Sequence, residues 1–538
     1  MEKHQTRSIS QNPIRCSTAR SRAIALVLLS LVSLLLAVAL GYLAYLIKGP
    51  TTLGTWYNPY WIGFFFLCGL VASAFFVFRH TIRKTPERLF LVLLLSITCF
   101  SALAFDMNMT SWDPGVHYRR TLEWTQPDLT VELSAADARI IYTQYNTINF
   151  GLDEMSAFSD ELNQKDAQTY GSSVSSSYAA LYNRIVYFPG ALVLALLNLL
   201  GISFSTKFLV VRLMNAIVYS LIVALGMKQL KSGKMLYAVI AMLPTALLLA
   251  SNYGQDHWIN AFLLLGGACL VRELQTPDKK ITWQRVLLLL GAFVIGFGPK
   301  AIYAPLILLC LLVPRSKFAS RASSIAFRIG VIALCVLVGL SFLGPYLFTL
   351  SGDAGGGGDS RGGEEVNAAM QISFILTNPI EYARILLKFL FTEYFSPVNS
   401  RDFTNLYGYL GTSSRLFWVW TLVLMAFTTI TDKGEADKLV GTWKSRTLAI
   451  LLFLATSVLI VTALYIEFTA VGLDTVVGVQ GRYLIPLLFC TLVFLSSPRL
   501  ALPRTFDKRK TAYNTVVLGS MSFIYLAGLW QVYLGLLY

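Results

Sequence analysis

Runs of about 20 apolar residues recur along this chain roughly a dozen times, and a run of that length is what a helix needs to cross a hydrocarbon core. Inside lipid the backbone must satisfy its own polar groups, which a helix does within one segment. Composition agrees. Over 538 residues, 55% are hydrophobic and only 14% charged, and the mean hydropathy is +0.60, too apolar for a soluble chain of this size. The expected fold is all-α: a polytopic transmembrane helical bundle with no separate soluble domain.

The formal net charge of +15 raises nucleic acid as a partner, but the Lys and Arg residues sit in short loops between apolar runs and form no single stripe. Topology explains them better. Residues 1–22 form a basic tail with Arg15, Arg20 and Arg22. The run Ala23 to Ile47 is too long for a signal-peptide core and lacks a small-residue cleavage site, so it reads as the first span. The positive-inside rule then puts the N-terminus in the cytoplasm, and the next basic loop, Arg79 to Lys84, returns there after two spans.

A third span, Arg88 to Phe105, delivers a polar, Ser-rich loop (106–184) to the outside. The stretch Ile185 to Ile202 is short and interrupted by Pro189-Gly190 and Asn198. If it crossed, the basic loop Lys228 to Lys234 would lie outside, so 185–202 reads as an extracytoplasmic juxtamembrane helix. Every later basic loop then falls inside: Lys279, Lys280 and Arg285; Arg315, Lys317 and Arg321; Lys444 and Arg446; Arg499 to Lys510. The threading gives about thirteen spans in one transmembrane domain over 23–538, N-terminus in and C-terminus out, with two short spans flanking Gly298-Pro299-Lys300. A second large outer loop (351–413) begins with a flexible tether at Gly355 to Gly358 and continues as an amphipathic helix from Asn378 to Phe391 lying on the outer leaflet. The outer turn 467–482 ends in Gln480-Gly481-Arg482-Tyr483.

Polar candidates gather at the outer edge. Asp113 and His117 lie just beyond the third span in Ser111-Trp112-Asp113-Pro114-Gly115-Val116-His117-Tyr118-Arg119-Arg120. A carboxylate there can take a proton from a hydroxyl, with the imidazole or Arg120 beside it, or it can cap the helix that Asp-Pro starts. Asp256 opens a span beside His257, where a cap and a functional role compete. Lys300 can snorkel to the interface or reach a lipid phosphate. Arg482 after Gly481 can offer bidentate donors to a phosphate or serve, with Tyr483, as an interfacial anchor. Arg212 is deeper, so it either lines a pocket or pairs between helices. Of the seven cysteines, all but Cys16 lie in apolar segments, and no disulfide framework or zinc spacing appears. No phosphate loop, His-Glu-x-x-His, dinucleotide fingerprint or Gly-x-Ser-x-Gly elbow is present.

Several motifs together resemble a known family: Val479-Gln480-Gly481-Arg482-Tyr483-Leu484-Ile485-Pro486; Met242-Leu243-Pro244 with Ser251 and Asp256; Tyr187-Phe188-Pro189; and Asn378-Pro379 with Gly408-Tyr-Leu-Gly411. From about Trp112 to Leu488 the chain resembles the bacterial membrane proteins grouped as domain of unknown function 2142, which are similar to polyprenyl-phosphate-dependent glycosyltransferases of the C-type (GT-C) fold. The family usually has an Asp-Glu pair before the histidine of its first outer loop. Here the second acid is missing, and Asp113 is the matching one. The resemblance implies Asp113 as catalytic base, His117 as its orienting partner, Arg482 and Lys300 as ligands of the donor phosphate, and Asp256, Tyr483, Gln480, Arg212 and Arg120 around the substrate. It implies a polyprenyl-phosphate sugar donor, a cell-envelope glycan or lipid acceptor, and an inverting transfer in the cell membrane with an extracytoplasmic site. No resident cofactor is expected, and metal dependence stays open: some enzymes of this fold use a divalent cation and others do not, and the single matching acid weighs against a tightly held one. A lipid-linked glycan flippase and a non-catalytic envelope-assembly scaffold are the competing readings. The chain shows no convincing internal repeat of the transporter kind.

Overall fold

The computed structural model describes residues 19–49, 57–105, 107, 110–142, 152–349, 363, 365–495 and 509–537. The start of the basic tail, the glycine tether at 355–358 and the basic run 499–508 lie outside the described residues. The chain divides into two compact units, Met1–Thr81 and Ile82–Tyr538. In the first, α1 (Ala19–Lys48) packs against α2 (Pro59–Phe78). Asn58 starts α2 by accepting hydrogen bonds from the Tyr60 and Trp61 amides, and Pro59 takes the first helical position, where no amide donor is missed.

In the second unit, α3 (Pro86–Phe105) leads into a folded cap. The cap holds α4 (Pro114–Glu123), β1 (Thr130–Ser134), α5 (Ala135–Tyr142), α6 (Leu152–Lys165), β2 (Thr169–Ser175), α7 (Leu181–Arg184) and α8 (Phe188–Leu199). The all-α expectation is corrected by β1 and β2, which pair antiparallel with Thr130 opposite Ser175 and Val131 opposite Val174. Val131 and Leu133 alternate with polar neighbours, as a half-buried strand requires. They turn toward a core that includes Val174, Phe158, Leu162 and Tyr118.

From the cap the chain enters α9 (Phe204–Gln229). The Arg212 guanidinium lies 5.8 Å from the Phe105 ring centre, and the Thr98 and Ser220 hydroxyls are 3.2 Å apart. Thus α9 starts beside the end of α3 and runs back along it. The segment between them leaves and re-enters the bundle at one end. Leu181–Leu199 is one of eight helices long and apolar enough to cross a membrane, yet α8 lies against Val211 of α9 and Thr121 of α4, at the same end it came from. Its 12 residues reach only about 18 Å.

The remaining elements run between that end and the opposite one. α10 (Lys234–Ala241) and α11 (Pro244–Ala250) form one run broken at Pro244, and α12 (Asp256–Leu274) returns. α13 (Trp283–Phe297) is followed by a 3₁₀ stretch, Ala301–Leu312, with Pro305 inside it. At about 2.0 Å per residue the stretch spans about 24 Å, further than the same residues would reach as an α-helix. α14 (Arg321–Thr349) precedes α15 (Ala368–Thr377), α16 (Pro379–Phe389) and α17 (Pro397–Asn405). α18 (Arg415–Thr431), α19 (Trp443–Phe468), α20 (Ile485–Leu495) and α21 (Lys510–Val532) complete the bundle. Against an expectation of about thirteen spans, eight described helices meet the length and hydropathy of a span, and several apolar helices are shorter. The difference has local causes: the break at Pro244, the 3₁₀ stretch, and the charges Asp256, Arg272 and Glu273 on α12.

Candidate functional site

The residues singled out between α3 and α5, at the start of α12, around Lys300 and in the Gln480 to Tyr483 turn come from four distant parts of the chain. Most of them meet at the capped end of the second unit. Asp256 is the hub. Its Oδ1 lies 2.6 Å from Lys300 Nζ and its Oδ2 lies 3.3 Å from Arg482 Nε. It does not cap α12, because the cap position belongs to Gln255. One carboxylate against two cations leaves this triad with an excess positive charge.

Aromatic rings frame the cations. The Arg482 guanidinium sits 4.1 Å from the centre of the Trp112 ring, and Lys300 Nζ lies 4.4 Å from the centre of the Tyr483 ring, both within cation–π reach. The Tyr303 hydroxyl donates to the Tyr483 carbonyl at 3.0 Å, joining the turn after Lys300 to the turn that carries Arg482. Arg482 can be so close to the next loop because residue 481 is glycine: a Cβ there would stand 2.6 Å from the Asn399 carbonyl oxygen.

Asp113 precedes α4 in a left-handed conformation (φ 53°, ψ 40°) and makes no side-chain capping hydrogen bond. The capping role open to it in the sequence is therefore not the one it takes. A non-glycine residue in this region is strained, a condition that recurs at functional sites. Its half-buried carboxylate is within electrostatic reach of Arg482. The backbone just before it is pinned from the segment after α17, where the Tyr409 amide donates to the Thr110 carbonyl at 2.9 Å. Gly408, at φ +58°, permits that approach, since a Cβ would collide with the Thr110 oxygen.

His117 is buried one turn into α4, and its Nδ1 is 2.7 Å from the Tyr187 hydroxyl. Tyr187 belongs to the Tyr-Phe-Pro motif ahead of α8. The imidazole thus engages Tyr187 through Nδ1. Burial, and secondarily the Arg120 guanidinium, hold its pKa down to about 3. Arg120 is near both His117 and Tyr187 and lines a cleft of ≈ 340 Å³ behind α4 with Arg119, Glu123 and Arg184.

Arg212 lies apart from this group of contacts. It is 1% exposed and donates to the Ser251 carbonyl and to Asn252 Oδ1, both at 3.1 Å. It therefore braces the irregular segment between α11 and α12 that sets the position of Asp256. Gln480 lies at the entrance of the Arg482 turn, with Oε1 buried and without a hydrogen-bond partner among the described residues.

A residue not singled out from sequence joins them. Asp402, on α17, has its Cβ 3.0 Å from where a Gly481 Cβ would stand. With Glu393, Asn399, Ser396, Tyr394 and Val479 it lines a second cleft of ≈ 340 Å³. Partial burial raises its carboxyl pKa. The only sequence signal for Asp402 was its place in the loop that also holds Gly408. Among the described residues, no group of three or more His, Cys, Asp or Glu side chains is arranged to hold a metal ion.

No curated protein and no solved structure matches this chain. A family does: residues 147–491, well over half of the chain, match the family described as "Predicted membrane protein (DUF2142)", and they contain Asp256, Lys300, Asp402 and Arg482, while Asp113 and His117 lie before the matched segment. The chain is a membrane protein with several membrane-spanning helices, and it belongs to the DUF2142 family.

Proposed function

We propose that this protein is a GT-C-type membrane glycosyltransferase that moves a sugar from a polyprenyl-phosphate donor to an extracytoplasmic cell-envelope glycan or lipid, with inversion at the anomeric carbon. The observation that carries the reading is the Asp256, Lys300 and Arg482 triad: a largely buried pair of cations, Lys300 the more exposed, held in place by one carboxylate, with the strained Asp113 in electrostatic reach. Preorganised cations are most useful where charge develops as a bond breaks.

In the proposed reaction the acceptor hydroxyl gives its proton to the Asp113 carboxylate. Its oxygen forms the new bond to the anomeric carbon as the bond from that carbon to the phosphate oxygen breaks. The electron pair leaves with the lipid phosphate, whose charge Lys300 and Arg482 stabilise. Neutral His117 and Tyr187 shape the wall beside Asp113, and the cleft lined by Asn399 and Asp402 offers a sugar polar partners for its hydroxyls. The topology proposed with it has thirteen crossings, the N-terminus in the cytoplasm and the triad outside. It is supported by basic loops meeting at the end of the second unit opposite the triad.

The test is transfer of radiolabelled sugar from a panel of synthetic polyprenyl-phosphate sugars to envelope acceptors by purified wild type and Asp113→Asn. Transfer by the wild type and its near-complete loss in a folded variant support the assignment. Equal transfer by both removes Asp113 as base. No transfer with any donor favours the flippase or scaffold.

A further inference from the structure

Three loops far apart in the chain meet at the end of the second unit away from the triad. Arg83 and Lys84 before α3, Lys231 and Lys234 around the start of α10, and Lys510 at the start of α21 line one cavity of ≈ 40 Å³. Asp432 is the one acid in that lining, and it already accepts hydrogen bonds from the Met235 and Leu236 amides. Glu87, 2.8 Å from Lys234 Nζ, compensates one further charge. Lys231 Nζ donates to the uncharged Gln275 carbonyl at 3.3 Å. Asp437, which the lining Ser232 hydroxyl reaches, brings the acids at and beside the cavity to three against five lining cations, so a surplus of positive charge remains among the described residues.

The positive-inside rule explains the sign of these loops. It does not explain their convergence on one cavity or the rigidity of the frame. Asn514 Nδ2 donates to the Ile82 carbonyl at 2.8 Å, fixing the chain next to Arg83. The Lys231 amide donates to Gln275 Oε1 at 2.8 Å, and the Ser232 hydroxyl donates to Asp437 at 2.6 Å. Such a cage of cations on pinned backbone differs from a loose polybasic tail, whose charges stay solvated. Its volume is a few times the roughly 10–15 Å³ that one water needs, which suits a single tetrahedral oxyanion.

We propose that this cavity is a binding site for one phosphoryl group, supplied by the headgroup of an anionic lipid or by free inorganic phosphate. The site is independent of the transfer reaction proposed above. Lys84, exposed, and Lys510, half-buried, supply the rim charges.

The experiment uses the purified full-length chain. Native mass spectrometry compares retention of phosphatidylglycerol with phosphatidylcholine, and calorimetry measures inorganic phosphate. Lys84→Ala/Lys510→Ala is compared with Lys279→Ala/Lys444→Ala, which removes two exposed charges elsewhere. The expected result is saturable binding of at least one anionic probe, weakened about tenfold or more by the cavity variant, as loss of charge-assisted hydrogen bonds predicts. The control pair is expected to bind as wild type does, and Lys84→Arg/Lys510→Arg to retain binding. Which probe binds identifies the source. Absence of saturable binding with both probes, or equal weakening by both double-alanine variants, overturns the proposal. Unfolding midpoints without anion confirm that each variant is folded, and Lys84→Gln alone serves if the double variant is not.

Discussion

Helix α12 carries a carboxylate near each end, and each is bridged by one lysine and one arginine. At the basic end, Glu273 lies 2.7 Å from Lys317 and 3.5 Å from Arg285. At the capped end, Asp256 lies 2.6 Å from Lys300 and 3.3 Å from Arg482. The charge composition is the same and the setting is not. The Lys317 side chain is 0% exposed and also donates to the Thr276 carbonyl and hydroxyl. Lys300 is 16% exposed and stands with Arg482 among aromatic rings, near the half-buried Asp113. In the first triad the lysine and the carboxylate are sealed and only Arg285, 30% exposed, reaches the rim, while in the second Lys300 and Asp256 themselves keep some exposure and Arg482 is nearly buried. An ion triad is thus not a functional signal by itself. The exposure of the lysine–carboxylate pair and the nearby Asp113 distinguish the two.

If the capped end is the reactive one, its largest effect is on rate. Asp113→Asn is expected to lower sugar transfer by about 10²–10⁴-fold. Its unfolding midpoint should stay near that of wild type, because asparagine tolerates the same left-handed backbone conformation. A variant that transfers at the wild-type rate erases the functional half of the comparison.

The sealed triad should answer in stability instead. Lys317→Met leaves Glu273 buried with only the more distant Arg285, and breaking such a pair costs about 3–5 kcal/mol. Lys300→Met leaves Asp256 with Arg482 and some access to water, so its cost should be smaller while transfer falls. Denaturant unfolding of the two variants side by side decides this. Equal destabilisation would mean that the Asp256 triad is as structural as its counterpart.

Asp402→Asn sharpens the boundary of the open region. If the cleft beside Gly481 holds the sugar or acceptor, KM should rise about tenfold with kcat little changed, the pattern of a lost binding contact equally present before and during reaction. Steady-state kinetics in detergent separate the two parameters. A fall in kcat alone would move Asp402 from binding to chemistry.

How much of this was legible in the chain depended on the range of the physics. Apolar runs are local, so the helical bundle was readable. The polar residues at run ends were readable too, and Asp113, His117, Asp256, Lys300 and Arg482 do come together. Their partners were not, because pairing is set by tertiary packing: Asp256 could equally have been a cap, and His117 engages Tyr187 from a segment about seventy positions along. Arg212 looked like a pocket residue because a buried arginine needs acceptors, and the Ser251 carbonyl that it finds is exposed only by the break before α12. The 3₁₀ stretch at Ala301–Leu312 reads as an ordinary apolar helix in sequence. The sheet left a faint trace in the alternation Thr130-Val-Glu-Leu-Ser134, hidden in a loop whose composition is polar throughout. Asp402 left none.

The smallest effect concerns His117, and it probes whether the floor beneath the open triad is as dry as its burial says. The folded imidazole titrates near 3, against an ordinary value of about 6.5. Between those values the unfolded chain binds a proton that the folded chain does not. Stability from this group is therefore complete above about pH 6.5 and declines as pH falls through the window, by at most about 1.4 kcal/mol per unit. Comparing unfolding of wild type and His117→Gln at pH 7.5, 5.5 and 4.5 isolates the contribution, since carboxylates and the other histidines titrate in both proteins. Wild type should lose more stability than the variant on acidification. Parallel loss would mean that water reaches the ring, and the capped end would then be open on the His117 side as well as beside Lys300.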